Sequence, residues 1–269
     1  PSPAASLPLY INFTKFQLPR PLPVDKAAGS FYNFVRVLKP FLPASYSEKT
    51  WCGRPQEAYA MKYIPMQTGM WAVFAASFRK NLTAIFGLDG KTARTVTANA
   101  KQTYAQILKE LPDFEKGDRF LMNIVSCAML AAFVLSMPER PDVTRLTSYY
   151  EQSMMTPAMR FYCRKSGSRR FSPESLSAME KTAQFRAADR NPYSWNIDYL
   201  PYADGSGFEA RFTACGICQL MKKLGLYDLT PALCHLDYPM TETGGTTKFV
   251  RNYTLASGGP CCDCGYRKV

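Results

Sequence analysis

The sequence contains no glycine-rich phosphate loop, so a nucleotide cofactor is not expected. No internal repeat is present, which excludes solenoid and propeller architectures. No recognised nucleic-acid-binding motif accompanies the excess of 33 Lys and Arg over 21 Asp and Glu, a net charge of +12. The basic residues are scattered, and their one dense run, "CRKSGSRRF" (Cys163 to Phe171), carries Ser and Gly and reads as a solvated linker. A nucleic-acid partner is therefore not expected. The opening "PSPAASLPLY" lacks a basic n-region followed by an apolar h-region, so no signal peptide is expected there. The longest apolar run, "FLMNIVSCAMLAAFVLSM" from Phe120 to Met137, has 18 residues, the lower limit for a membrane span. Asn123 and Ser126 interrupt it, no aromatic belt flanks it, and Pro138 stops it. It reads as a buried core helix, and no membrane partner is expected.

What is present suits a folded domain: 46% hydrophobic and 20% charged residues can bury a core without covalent staples. Nine cysteines are an odd number, so they cannot all pair internally. Cys127 sits in the apolar run and reads as an inert core thiol, while Cys52 and Cys163 fall in irregular polar stretches. The other six lie between positions 215 and 264. Such clustering points to thiol or metal chemistry more than to a disulfide scaffold. Sequons at Asn12, Asn81 and Asn252 are short patterns that chance supplies. A reducing, cytoplasmic location is expected.

The first 45 residues are rich in proline and are expected to form an extended arm. Residues 46–185 show helical patterning. "QTYAQILKEL" places Tyr104, Ile107, Leu108 and Leu111 on one stripe, Asp142 is a plausible N-cap, and Ser172 followed by Pro173 suits a helix start. From 186 to 269 the texture changes. "YSWNIDYLPY" and "GFEARFTAC" read as strands joined by "ADGSG"; Phe208, Ala210 and Phe212 alternate with Glu209, Arg211 and Thr213. A short helix ended by Gly225 follows, then one capped by Thr230, then the strands "TTKFVRNYTLA" and "CCDCGYRK". The expected fold class is α+β: a mainly helical N-terminal part packed on a C-terminal antiparallel-sheet unit carrying the cysteine cluster, with 46–269 as two parts or one integrated domain.

Three groups at element boundaries carry chemistry. In "TACGIC", Cys215 sits where a strand hands over to a helix, a place where free N–H groups and the helix dipole favour a thiolate. In "CHLDY", Cys234, Asp237 and Tyr238 share one helix face; His235, the only histidine, lies a step round, and Pro239 forces a break or kink. In "GGPCCDCGY", Cys262 and Cys264 share one strand face and Cys261 and Asp263 the other, after a turn or close approach at Gly258 and Gly259. A structural zinc site is the rival reading: "CGIC" is one hook, but "CDC" and "CH" do not give the usual second knuckle. A thioredoxin-type redox motif wants a βαβ setting that is missing.

The stretch "RFTACGICQLMKKLGLYDLTPALCHLDY", followed by "TLASGGPCCDCGY", resembles the L-2-amino-thiazoline-4-carboxylic acid hydrolase family over about 185–269, and more loosely over 80–160. Asn123 in the preceding apolar helix fits the same pattern. The resemblance implies functional roles for Cys215, Cys234, Asp237, Cys262 and Asp263. It leaves Cys218, Cys261, Cys264 and His235 as extras, and Pro239 as a departure where relatives continue the helix. It also implies hydrolytic opening of an amino-thiazoline carboxylate ring on the route to cysteine, without a cofactor.

Such chemistry needs an activated nucleophile, a proton carrier and a cation for the substrate carboxylate. Cys234 and Cys215 are the candidate nucleophiles, Cys234 favoured by the face it shares with Asp237. Asp237 or Asp263 would move the proton, and Arg211 or Arg251 would hold the carboxylate. Alternatives are a zinc- or ligand-binding protein, and the same fold redirected to a biosynthetic cyclisation or isomerisation. The expected partner is a small-molecule substrate, with a homo-oligomer as the remaining assembly option.

Overall fold

The computed structural model describes residues 64–114, 118, 120–186 and 191–269. The proline-rich arm at 1–45, Cys52 and the sequon at Asn12 lie outside them.

A helix that is apolar on every side must be surrounded, and Leu121–Ser136 is such a helix. Residues 121, 122 and 124–134 are all buried. Two long helices precede it, Ile64–Phe86 (α1) and Gly90–Lys109 (α2), so Leu121–Ser136 is α3. The expected stripe on α2, which packs on α3 and α1, is buried at Tyr104, Ile107 and Leu108, with Leu111 just beyond the helix end. Helix Val143–Met154 (α4) packs on α1 and is capped as expected, the Arg145 N–H donating to the Asp142 carboxylate at 2.9 Å. Among the described residues, no helix is long and apolar enough to cross a membrane. Each large apolar side chain sealed in this core contributes about 1.5–3 kcal/mol.

Helices Pro157–Gly167 (α5) and Pro173–Arg186 (α6) follow. Ser172 caps α6, accepting the Ser175 N–H at 3.3 Å. The basic run is not the solvated linker its composition suggests. Cys163 is buried on α5, and Arg170 is 3% exposed with its guanidinium over the Tyr266 ring. Met159, Tyr162, Cys163 and Gly167 lie at helical spacing on one buried face, which the interleaved charges conceal. The sequon at Asn81 is also internal, its amide donating to Ser153 Oγ inside the protein.

The sheet then forms from Asn196–Pro201 (β1), Gly207–Ala214 (β2), Thr247–Val250 (β3) and Cys262–Lys268 (β4). It is antiparallel throughout, in the order β1-β2-β4-β3. Between β2 and β3 run Gly216–Lys223 (α7), a 3-10 turn, Thr230–His235 (α8) and Asp237–Glu242 (α9). The fold class is α+β, helices first and sheet last. Strand alternation sets two faces. Phe208, Ala210 and Phe212 of β2 stand beside Tyr266, Cys264 and Cys262 of β4 on the inner face. Arg211 opposite Asp263 belongs to the outer face. The strand expected at "TTKFVRNYTLA" is shorter, because Leu255–Ser257 turns as a 3-10 helix. Thr230 opens α8 as its first residue and is not its cap.

Candidate active site

Three segments converge on one cavity of about 70 Å³, room for several waters or one small molecule. Its apolar wall comes from α4, from β2 and from the residue before β1, with Tyr150, Met154, Trp195 and Phe212. Its reactive wall comes from the segments that the sequence singles out: Cys215, Cys234, Asp237, Arg251, Cys262 and Cys264.

Cys215 is the N-cap residue of α7, in extended conformation. Gly216 makes that seat possible, since a Cβ there would lie 2.0 Å from the Tyr193 carbonyl oxygen. The expected low-pKa thiolate is not found. A hydrogen bond with the Cys218 side chain and burial push the Cys215 thiol well up. The N–H groups of Cys218 and Ile217 pull the other way without closing a cap. Partial dipole charge at a short helix does not offset that hydrogen bond and the removal from water.

Cys234 and Asp237 both face the cavity, although the helix that was to carry them is split. Cys234 ends on α8, Leu236 links, and Asp237 opens α9. Leu236 keeps right-handed helical angles (φ −58°, ψ −21°), so a separation of three still places the two on one side. The break falls before Pro239, which then sits in the first turn of α9, where its missing N–H has no helical partner to lose. Burial pushes the Cys234 thiol well up, and the Asp237 charge adds to the effect.

Arg251 follows β3 on the inward register of Phe249. Its guanidinium is 7% exposed and donates to Asp237 Oδ2 at 2.5 Å and to the Cys234 carbonyl at 3.0 Å. The rings of Tyr238 and Phe249 each lie 5.3 Å from it. Tyr238, which the sequence places on the helix face of Cys234 and Asp237, packs edge-on against Phe249 and supports Arg251. Burial pushes the Asp237 carboxyl up to about 6, with Arg251 and then His235 opposing. The Arg251 pKa is raised although burial, the largest single influence, would lower it, because the Asp237 charge and the neighbouring Cys264, Cys234 and Tyr238 together outweigh it. A carboxylate poised near neutrality beside a fixed cation is suited to taking and returning a proton.

On β4, Cys262 and Cys264 line the cavity together. The Leu255 N–H donates to Cys262 Sγ at 3.2 Å. Burial pushes Cys262 up to about 12 and Cys264 well up. Cys264, an extra in the family pattern, is thus part of the wall. Gly258 adopts φ +81°, supplying the expected turn before the strand.

Asp263 and Arg211 are placed elsewhere. The Asp263 carboxylate accepts the N–H groups of Asn252 and Tyr253 and the Asn252 amide, pinning the backbone just after Arg251. Arg211, 44% exposed, pairs with Glu209 on the outer face. The alternation of Phe208, Ala210 and Phe212 already carried that signal. His235 lies at the surface near Glu151, and Cys218 sits beneath the wall behind Cys215. Asn123 lines the cavity as expected, and its Nδ2 is buried without a hydrogen-bond partner. Ser126, Tyr150 and Trp195 were not anticipated; only the i, i+3 spacing of Ser126 from Asn123 could have suggested the first. Among the described residues, no group of three or more His, Cys, Asp and Glu is arranged to hold a metal ion.

Comparison with curated proteins and with solved structures gave no significant match. Residues 122–266, more than half of the chain and containing every residue of the cavity named above, match the family described as L-2-amino-thiazoline-4-carboxylic acid hydrolase. The chain therefore belongs to the L-2-amino-thiazoline-4-carboxylic acid hydrolase family.

Proposed function

We propose that the chain is a cofactor-independent hydrolase that opens the ring of a small, carboxylate-bearing heterocycle of the amino-thiazoline-carboxylate type. The observation that carries the reading is the partly buried Asp237–Arg251 pair at the reactive wall, ringed by the thiols of Cys215, Cys234, Cys262 and Cys264.

The chemistry follows from the protonation states. Every wall thiol with a resolved shift is held neutral, so a thiolate forms only when a base removes its proton. Asp237 is that base. It takes a proton from a water or from Cys234 as the new bond forms to the ring carbon between sulfur and nitrogen. The resulting carboxylic acid returns the proton to the ring nitrogen, and the carbon–nitrogen bond breaks. With water as nucleophile, the product keeps the ring sulfur bonded to a carbamoyl carbon and gains a free amine. With Cys234 as nucleophile, a second addition, by water, releases the enzyme. Cys215 is the alternative thiol. Arg251 holds Asp237 in place and supplies positive potential for the substrate carboxylate, and the unpartnered Asn123 Nδ2 is a donor for the bound ring.

Incubation of the purified protein with L-2-amino-thiazoline-4-carboxylate should give a ring-opened product one water heavier than the substrate. Turnover of neither this compound nor any related ring carboxylate would refute the hydrolase reading. Loss of turnover in Cys234→Ala or Cys215→Ala would identify the thiol. Unchanged turnover in both would eliminate thiol attack.

A further inference from the structure

Outside the cavity, three buried polar side chains close a hydrogen-bonded ring. Arg186 Nη2 meets Asp118 Oδ1 at 2.9 Å, and the two side chains are 3% and 1% exposed. Arg186 Nη1 donates to Ser194 Oγ at 2.9 Å, and Ser194 Oγ donates to Asp118 Oδ2 at 3.2 Å. The three groups come from the entry to α3, the end of α6 and the entry to β1, segments far apart in the chain.

Removing an ion pair from water costs about what the pair regains, so an apolar filling would hold the same space as well. What the ring adds is direction. Asp118 accepts the Phe120 N–H at 2.8 Å, and the Arg186 guanidinium lies 5.4 Å from the Phe120 ring. Phe120 stacks on Trp195 (4.9 Å between centroids, 26° between planes) and meets Phe212 edge-on. Trp195 and Phe212 form the apolar wall of the cavity. Ser194 is bonded to Trp195 in sequence, so the ring grips the tryptophan through its backbone and through the Phe120 stack.

We propose that the Asp118–Arg186–Ser194 ring positions Trp195 and thereby sets how closely the apolar wall approaches the substrate ring. The three are positioning residues, and the inference rests on the reading of this cavity as the substrate site. It predicts an effect on substrate fit and leaves the proton chemistry at Asp237 untouched.

The test compares wild type, Ser194→Ala and Ser194→Thr by acrylamide quenching of tryptophan emission and by steady-state kinetics on the amino-thiazoline carboxylate. Loss of one hydrogen-bonded group should raise KM about 5- to 10-fold, with kcat within about twofold. Quenching should rise, because Trp195 is 2% exposed in the intact ring. Ser194→Thr should restore both values. In a Trp195→Phe background the quenching increment should vanish. Arg186→Lys, which keeps the charge and loses the fork, should act in the same direction if Ser194→Ala does not fold. Unchanged quenching and KM in a folded variant would overturn the proposal. So would the same quenching increment with Trp195 replaced. Quenching needs no turnover, so a wild type that opens no ring would refute the hydrolase reading while this experiment still decides the role of the ring.

Discussion

On one side of the cavity stand Tyr150, Met154, Trp195 and Phe212; on the other stand Cys234, Asp237, Arg251 and Cys262. The first side contains neither a carboxylate nor a basic group, and the second holds a salt bridge. The contrast explains the protonation pattern. Apolar neighbours exclude water, and every acid facing them is pushed toward its neutral form: Asp237 to about 6 and Cys262 to about 12. A carboxyl with that value can both accept and donate a proton near neutrality, while the thiols stay in reserve. The apolar wall is thus a chemical participant as well as a shape.

The largest effect should come from removing the cation that keeps Asp237 charged. Arg251→Met leaves a partly buried carboxylate unpaired, which costs up to about 3–5 kcal/mol, the value for a fully buried pair. The loss, read by urea denaturation, should be larger at pH 8 than at pH 5, because the lone carboxyl can neutralise. Turnover should fall by at least about 100-fold, as expected when a proton carrier is displaced.

A second effect concerns Asp237 without loss of its partner. Its ordinary value of 3.8 is raised to about 6 in the folded protein. The folded state therefore binds the proton more tightly than the unfolded state. The stabilisation is fully present below about pH 4 and is lost as pH rises through about 6, a change of roughly 2–3 kcal/mol. Subtracting the stability of Asp237→Asn from that of wild type at pH 4 and pH 7 isolates it. A difference that does not decline with pH would break the contrast between the walls.

The inner and outer faces of β4 offer a finer test. Asp263→Ala removes the acceptor that pins the backbone after Arg251, and should lower turnover about 3- to 10-fold through misplacement of the guanidinium. Arg211→Ala, on the same outer face but tied only to Glu209, should leave kcat and KM within about twofold. If Arg211→Ala proved as damaging as Arg251→Met, the inner-face assignment of the carboxylate-binding cation would be wrong.

Much of this was legible in the sequence, and residue periodicity explains where reading succeeded. The apolar run at Phe120 to Met137 reads better as a core helix than as a membrane span and forms one, and the Phe208–Phe212 alternation reads as a half-buried strand and forms one. The three cysteine segments that stand out in the sequence meet at one cavity. Side-chain direction was harder. Chemical type suggests Arg211 and the family resemblance suggests Asp263, although alternation turns both outward. Cys264 was set aside although it shares the face of Cys262. Long-range partners left no local trace: Tyr150 reaches the cavity from α4, and Arg170 is buried over Tyr266 from within a run that reads as solvated. The Cys215 thiol illustrates a different limit. Its helix-terminal position favours a thiolate, but the hydrogen bond with Cys218, joined by desolvation that comes from packing, overrides it.

The most direct test of the central claim is the pH dependence of kcat/KM for opening of the amino-thiazoline carboxylate, in wild type and in Asp237→Asn. Activity should rise with pH through a midpoint near 6, set by Asp237, and be lost in the variant at every pH. A wild-type profile without that limb, or an Asp237→Asn enzyme with full activity, would contradict that claim.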